Sequence, residues 1–525
     1  MKLKYLSGAL LALVIAGTAC KKQKFADYYI DPRTVDKATI EKQFAGAVGS
    51  TMEFTMYKYW NYFVILQNTA LHYTQVVGWQ NFEKQYEPGA AAVGDRWGWY
   101  YGFVAQYKDF LKVYNSAPQE EQTEKRIYKI AADIFFYDQT QKVVDLHGDI
   151  PWTEAGLLST NSGDYKASFA KYDKATDIYT KMLDDLKAYA DELNTLSVPA
   201  SVTGVMKIQD FINKGDLSLW KKYCNSLRVR MLTRVSGVAA FQARSNTELA
   251  AIVADPSKYP VCTTNADNIL LRVVTLSNSP VNSDLYSGII GWGNNDRANK
   301  GMIDTLQNNN DPRLRALFQP GALSAPKYVG LDPMLDPSTQ GQYLAKDTIA
   351  RYNFSTISKN RFLPGILITA AETQLLLAEY YLKANNDAAA KTAYENAVKQ
   401  SIDFFFWLRT ISDNNETAVT PVTDAEKNAY LASNIAWAGT TAKKMELIAI
   451  QKWINYNVLQ PLEGWAELRR TNLPVLTFRN DNGSTLAPLP PARWYYPDNE
   501  RTYNTANYEA VKGTDNLSTK LFWDN

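Results

Sequence analysis

Apolar residues recur at spacings of three and four along much of the chain, which is the periodicity of an α-helix with one buried face. The pattern predicts helices over 125–146, 172–196, 219–235, 363–382 and 442–457. Helices of this number and length, with few alternating segments between them, predict a mainly α protein.

One pair of these helices has the pattern of a repeat unit. The segment LAEYYLKANNDAAAKTAYENAVKQS joins two helical stretches through a short turn, with Tyr394 and Ala397 where a tetratricopeptide repeat has them. Small residues lie at positions where the two helices would approach each other. The sequence therefore predicts a scaffold that contains tetratricopeptide-like helical pairs.

Long stretches between the helices are rich in Gly, Pro, Asn and aromatic residues. They cover 89–99, 202–215, 265–299, 322–338 and 477–507 and are predicted to be irregular. Loops of this length within a folded chain commonly carry ligand sites. The predicted architecture is a helical scaffold with a loop-rich irregular half.

The first residues predict secretion and a lipid anchor. Lys2 and Lys4 precede a short apolar stretch, and small residues then lead to Cys20. This pattern predicts a signal peptide over 1–19 and lipidation of Cys20, which would hold a single domain, 20–525, on a membrane surface. No later apolar run is long enough to predict a transmembrane helix.

Composition and motifs argue against several functions. The 56 basic and 54 acidic residues leave almost no net charge, which argues against a nucleic-acid partner. The two histidines, His72 and His147, are too few and too far apart for a typical zinc site. The sequence contains neither a Gly-x-Ser-x-Gly elbow nor a phosphate-binding glycine loop. We therefore predict no metal, no cofactor and no catalytic residue.

The segment DLHGDIPW first suggests chemistry, because carboxylates flank His147. We interpret it as the end of a helix, where Gly148 can adopt a positive φ and Pro151 prevents the helix from resuming. Cys224 and Cys262 could pair, although the apolar helical setting of Cys224 favours a buried free thiol.

Aromatic residues supply the candidate ligand site. They make up 13% of the chain, and several lie beside glycines in the predicted loops. Such rings can stack on sugars while polar neighbours bind hydroxyl groups, although some would simply fill the core. The predicted ligand-binding residues are Trp79, Trp97, Tyr286, Trp292, Asn294 and Arg297.

Six segments in a fixed order carry a family resemblance. They are DQTQKVVDLHGDIPWTEA, GDLSLWKKYCNSLRVRMLTRVSG, NNNDPRLRALF, LITAAETQLLLAEYYLKA, IAIQKWINYNVLQPLEGWAELRRTNLPVL and RWYYPDNERTYNTANYEAV. With them the chain resembles the SusD/RagB family of outer-membrane lipoproteins from Bacteroidota-type bacteria. The resemblance implies a SusD-like fold and an outer-membrane location with a lipid anchor at the cell surface. It also implies a SusC-like TonB-dependent transporter as partner.

The predicted function is nutrient binding without catalysis, with oligosaccharide as the ligand. A receptor for peptides from protein digestion, a lipid-anchored glycoside hydrolase and a transporter partner without a ligand of its own remain open alternatives.

Overall fold

The protein is described here by a computed structural model that covers residues 38–277, 279–290 and 296–524. Most of this part of the chain is α-helical, which confirms the predicted fold class. The predicted signal peptide, 1–19, and Cys20 lie outside the described residues. Within the described ranges no helix combines the length and the apolar character needed to cross a membrane.

The helices follow one another with connections that range from single residues to long irregular segments, such as those between His147 and Ala175 and between Thr471 and Asp498. In chain order they are α1 (Ile40–Gly49), α2 (Met52–Thr55), α3 (Ala70–Tyr73), α4 (Ala90–Ser116), α5 (Gln119–Glu124), α6 (Arg126–His147), α7 (Ala175–Glu192), α8 (Ala200–Gln209), α9 (Leu217–Val235), α10 (Ala239–Ala254), α11 (Leu285–Ile290), α12 (Lys300–Asn308), α13 (Arg313–Leu317), α14 (Pro337–Ala345), α15 (Ala370–Lys383), α16 (Asp387–Ile411), α17 (Asp424–Leu431), α18 (Thr441–Tyr456), α19 (Pro461–Thr471), α20 (Asp498–Tyr503) and α21 (Thr505–Tyr508). Two π-helical turns cover Asn61–Leu66 and Phe354–Ser358, and 3₁₀ turns cover Lys166–Ser168, Asn265–Asp267 and Lys512–Thr514.

The strands are short and form antiparallel pairs. They are β1 (Ile150–Pro151), β2 (Tyr172–Asp173), β3 (Ile269–Leu271), β4 (Phe318–Gln319), β5 (Arg351–Tyr352) and β6 (Gly365–Ile368). β1 pairs with β2, β3 with β6, and β4 with β5. Each pair joins segments that are distant in sequence, so the strands fasten loops to the helical scaffold.

Several predicted helices match the structure closely. The prediction 125–146 corresponds to α6, and 219–235 corresponds to α9. Both helices are buried around nearly their whole circumference, as expected for helices in the interior of a large core. The hairpin of α15 and α16 is also present, with Asn385 at φ 58° in its turn. Its likeness to a tetratricopeptide repeat remains a prediction.

The prediction of one helix over 363–382 is partly wrong. Residues 365–368 form strand β6, and the helix begins only at Ala370. Ile366 and Ile368 favour a strand because their side chains branch at Cβ, and β6 gains a partner in β3. Thr369 then caps the helix, since its hydroxyl accepts a hydrogen bond from the Glu372 N–H at 3.1 Å.

The irregular structure predicted for 89–99 is also wrong, because α4 runs through it from Ala90. Gly94, Gly98 and Gly102 follow one another at helical spacing, and a Cβ built on any of them would meet no described atom within 4 Å apart from the neighbouring residues and backbone of its own helix. They therefore form an open stripe, while Val93, Trp97 and Tyr100 pack into the core on the other side. The glycines lower helix propensity without interrupting the buried face. The prediction of a loop over 202–215 fails in the same way, since α8 occupies its first half.

Four mutually paired buried charges join α15, α18 and α19, and we call them the charge quartet. Glu379 accepts from Arg470 Nη1 at 2.8 Å and from Lys452 Nζ at 2.6 Å. Glu467 accepts from Arg470 Nη2 and from Lys452 Nζ, both at 2.7 Å. Each cation thus contacts both carboxylates, and all four side chains are buried. Full pairing of this kind is what makes buried charge tolerable.

The network extends from the quartet into α6 and α9. Arg230 donates to Glu372 Oε1 at 2.5 Å and to Asp138 Oδ1 at 2.7 Å. Arg234 donates to Glu463 Oε2 at 2.6 Å. These residues come from the segments that carry the family resemblance, so those segments encode the ionic centre of the scaffold.

The DLHGDIPW segment belongs to the same centre. Asp145 lies 3.2 Å from Arg234, and the helix ends at His147, with Gly148 at φ 82° as predicted. His147 is completely buried, and burial together with Arg493 and Arg96 holds its pKa well below the usual range. The imidazole of His147 is therefore neutral, and it packs among aromatic rings as part of the scaffold.

Both cysteines of the folded domain are free and buried, which confirms the interpretation of Cys224 and shows that it does not pair with Cys262. Burial raises the pKa of each thiol to about 12.

Candidate functional site

Tyr286 lies on the short helix α11 and is 38% exposed. The ammonium group of Lys359 lies 4.9 Å from its ring centroid and 4.2 Å from the Phe354 ring. Lys359 is itself fixed by an ion pair with Glu416 at 2.6 Å. One face of the Tyr286 ring is thus held in place by cation–π contact.

Further aromatic side chains lie on the segment that packs beside α11. Tyr59 and Trp60 are 37% and 42% exposed, and Tyr59 stacks on Phe63 with 5.3 Å between ring centroids. The Trp60 indole donates to Asp95 Oδ2 at 2.6 Å, which fixes the orientation of its ring. We call Tyr59, Trp60, Phe63 and Tyr286 together the Tyr286 surface.

Close backbone packing joins the two parts of this surface. The Asp284 N–H donates to the Tyr57 carbonyl at 2.7 Å. At Gly288 an added Cβ would lie 2.6 Å from Tyr62 Cβ, so only glycine permits this approach. The first turn of α11 therefore lies directly against residues 57–62, and the aromatic rings of both segments belong to one region.

Trp79 lies in irregular structure, as predicted, and is half-buried. Its ring is 5.4 Å from His72, which also stacks on Tyr86 at 5.2 Å. Burial lowers the pKa of His72 to about 4, so the stack contains a neutral imidazole at physiological pH. Phe82, 5.7 Å from Trp79, is 46% exposed and extends the aromatic surface into solvent.

The backbone connects Trp79 with the region of Tyr286. Val77 forms a β-bridge with Ala298, and the Gly78 N–H donates to the Arg297 carbonyl at 2.7 Å. Residues 291–295 link the end of α11 to this bridge in the sequence. Trp292 and Asn294, both predicted to bind ligand, fall in that link and lie outside the described residues.

Two other predicted residues do not have the exposed loop position that the sequence suggested. Trp97 is a buried residue of α4, with its ring 5.0 Å from His147 and 5.8 Å from Tyr496. Arg297 is 1% exposed and donates to Asp347 Oδ1 at 2.6 Å. Both side chains pack within the fold. The glycines near Trp97 lie within a helix, and the buried Arg297 is held by the partly exposed Asp347 and by the Ile349 carbonyl, to which its Nη1 donates at 2.9 Å.

Sequence reasoning missed Tyr59, Trp60 and Phe63. The segment MYKYWNYF contains the relevant pattern, with aromatic and polar residues closely interleaved, but it has no flanking glycine to mark it as a loop. An exposed group of rings with fixed orientations is suited to stacking against flat, partly apolar ligands.

Within the described part of the chain, no group of His, Cys, Asp and Glu side chains has the arrangement of a metal site. The ionisable residues of the charge quartet are fully paired and enclosed, so their role there is structural.

Comparison with known proteins places these features in a family. The SusD-like family model, described as "Starch-binding associating with outer membrane", matches residues 37–497. No curated protein matches the chain.

Solved structures share the whole fold. A chitin-binding protein is 25% identical with a TM-score of 0.72, and the match covers 92% of this chain and 100% of the other. A chitin-binding SusD homologue from Flavobacterium johnsoniae is 20% identical with a TM-score of 0.70, covering 92% and 98%. A Bacteroidetes SusD-like protein is 22% identical with a TM-score of 0.73, covering 93% and 100%. The family match over most of the chain, together with this shared fold, shows that the protein belongs to the SusD-like family.

Proposed function

We propose that the protein is an outer-membrane binding protein that captures oligosaccharides at the Tyr286 surface and carries out no chemistry on them. The observation that supports this most is the group of oriented rings on this surface, in which Tyr59, Trp60 and Tyr286 are exposed and the half-buried Phe63 stacks on Tyr59. Pyranose rings present apolar C–H faces that stack on such platforms, while their hydroxyl groups need polar partners nearby.

Trp79 and Phe82 extend the proposed site. The backbone beside Trp79 is bonded to residues 297 and 298, which follow α11 in the sequence. A ligand longer than one sugar could contact both regions. Membership of the family and its starch-binding description agree with a glycan ligand. The chitin-binding relatives make chitin oligosaccharides a second class to test beside maltooligosaccharides.

The lipid anchor and the partner are part of the same proposal. Lipidation of Cys20 would hold the domain at the membrane, and a SusC-like TonB-dependent transporter would receive the captured ligand. To test the anchor, Cys20→Ala should release the protein from the membrane fraction. To test the partner, the tagged wild-type protein should copurify with the transporter from detergent extracts. Membrane retention of the Cys20→Ala variant would contradict the anchor.

Calorimetry with maltohexaose, chitohexaose and a tryptic peptide mixture tests the ligand class. We expect binding of one glycan and no binding of the peptides. Tyr286→Ala should weaken glycan binding by about 1–3 kcal/mol, the range of aromatic hot spots. Tyr503→Ala is the matched control, since Tyr503 is 69% exposed on α20, apart from this surface.

Equal affinity of the wild-type protein and the Tyr286→Ala variant would contradict the placement of the site. Binding of peptides alone would contradict the glycan assignment and favour the peptide receptor. Release of shorter sugars from either glycan would show a hydrolase.

A further inference from the structure

Arg96 is a buried arginine that forms no ion pair with any of the described residues. It lies on α4, is 2% exposed, and its guanidinium carbon is 4.4 Å from the Phe54 ring centroid. Other fully buried arginines hold carboxylates, as Arg228 does with Glu248 at 2.9 Å and Arg313 with Asp311 at 2.6 Å. Among the described residues, Nη1 of Arg96 has no hydrogen-bond acceptor.

The side chain of Arg96 lines a pocket between α4, residues 54–66 and the start of α19. Two further buried polar atoms on the wall of this pocket lack a hydrogen-bond partner in the described structure, the Tyr57 hydroxyl and Gln460 Oε1. Gln460 Nε2 is already used, because it donates to Glu372 Oε2 at 3.0 Å. The pocket therefore presents two unused donors and one unused acceptor.

Leaving these groups unpaired is costly. Each buried polar group without a partner costs about 1–3 kcal/mol, and an unpaired buried charge costs more. Burial lowers the pKa of Arg96 only to about 10, so the side chain remains a cation at neutral pH. Native proteins contain few such groups, and a bound ligand, ion or water commonly supplies the missing partner.

We propose that this pocket binds a small organic acid through its carboxylate group. Arg96 Nη1 and the Tyr57 hydroxyl donate to the two carboxylate oxygens, and Gln460 Oε1 accepts from a hydroxyl or amino group of the ligand. The hydrocarbon part lies against the apolar wall, which includes Leu66 and Leu459.

The charges around the pocket favour a monoanion. Lys142, the other cation on the wall, already lies 3.2 Å from Asp138 Oδ1. Glu463 also lines the pocket and is bound to Arg234. Among the described residues that line the pocket, the charge of Arg96 alone is thus left to be neutralised. A dianion such as phosphate would add a second negative charge close to Glu463.

The pocket lies behind the Tyr286 surface and is distinct from it. Asp95, the neighbour of Arg96, holds the Trp60 indole on that surface, whereas Arg96 turns to the pocket. This site does not depend on the glycan proposal, and either can fail without the other.

Thermal unfolding of the full chain, measured in butyrate, chloride and phosphate at equal ionic strength, tests the proposal. We expect butyrate to raise the unfolding temperature saturably and more than the other two anions do. The Arg96→Met variant should lose this response. Without ligand, its unfolding temperature should equal or exceed that of the wild-type protein, because an unpaired buried charge has been removed.

Two further variants separate a binding role from a structural one. Arg228→Met should lower the unfolding temperature and keep the butyrate response, since it breaks a paired charge elsewhere. Tyr57→Phe removes one hydroxyl donor and should weaken butyrate binding at least threefold by calorimetry. If Arg96→Met does not fold, this variant alone tests whether the pocket binds the carboxylate. The proposal is overturned if butyrate has no effect, if phosphate has the largest effect, or if Arg96→Met responds like the wild-type protein.

Discussion

The charge quartet gives a quantitative prediction for Arg470→Met. Arg470 makes four hydrogen bonds to Glu379 and Glu467, with donor–acceptor distances of 2.7 to 3.0 Å. Methionine fills much of the space but removes the cation that bonds both buried carboxylates. Glu379 then keeps Lys452 and the half-exposed Lys383, and Glu467 keeps Lys452 and Arg234. Breaking a buried pair in this way costs about 3–5 kcal/mol.

The expected shift in unfolding temperature follows from the size of the domain. An unfolding entropy of about 2.1 cal/mol/K per residue over roughly 500 residues gives about 1 kcal/mol per degree. Arg470→Met should therefore lower the unfolding temperature by about 3–5 °C in differential scanning calorimetry at pH 7.

Arg361→Met is the matched control, because Arg361 is 65% exposed in its ion pair with Asp413 at 2.5 Å. A solvent-exposed pair contributes at most about 1 kcal/mol, so the shift should stay within about 1 °C. Equal shifts for the two variants would refute the reasoning.

The pH dependence provides an independent check. Burial alone would raise the pKa values of Glu379 and Glu467, but Arg470 and Lys452 outweigh it and hold both well below 4.5. Because the folded-state pKa values are depressed, this stabilisation is present above about pH 4.5 and is lost as the pH falls below it. The difference between the wild-type protein and Arg470→Met should shrink between pH 5 and pH 3. A constant difference would contradict the ionic origin of the effect.

Three further predictions concern buried groups. Cys224 and Cys262, whose pKa values are raised to about 12, should remain unmodified by iodoacetamide at pH 8 until the protein unfolds, as read by peptide mass spectrometry. The ring of His147 should show no NMR titration between pH 8 and pH 5. Its depressed pKa contributes stability that is present above about pH 6.5 and lost as the pH falls, so a midpoint near 6.5 in the folded protein would contradict its burial. Gly78→Ala should destabilise by about 1–3 kcal/mol in urea titrations, because its Cβ would lie 2.6 Å from a backbone oxygen, whereas Gly94→Ala has open space and should be neutral or stabilising.

The sequence predicted the scaffold better than the site. Periodicity located α6 and α9 to within two residues, because long buried helices repeat their apolar positions many times. It assigned residues 89–99 to a loop although α4 begins at Ala90, since glycines on the open face of a helix cannot be told in sequence from glycines in a loop. Strand β6 was missed because four residues are too few for a period to show.

The ligand-site prediction was limited by a different problem. Burial of Arg297 depends on Asp347, fifty positions away in the sequence, and no local pattern shows such a pairing. Exposure of Trp60 depends on how α11 packs beside it. Aromatic content indicated the kind of surface, while the packing of distant segments determined which rings are displayed.

The charge quartet also constrains the order in which parts of the chain can fold. Glu379 enters the core with α15, but its buried partners Lys452 and Arg470 come about seventy and ninety positions later. Until α18 and α19 dock, that carboxylate has no buried counter-charge, and enclosing it would be strongly unfavourable. The first three-quarters of the polypeptide therefore cannot close its core alone. Such an incomplete chain stays open until the last helices dock and commit it to the folded form.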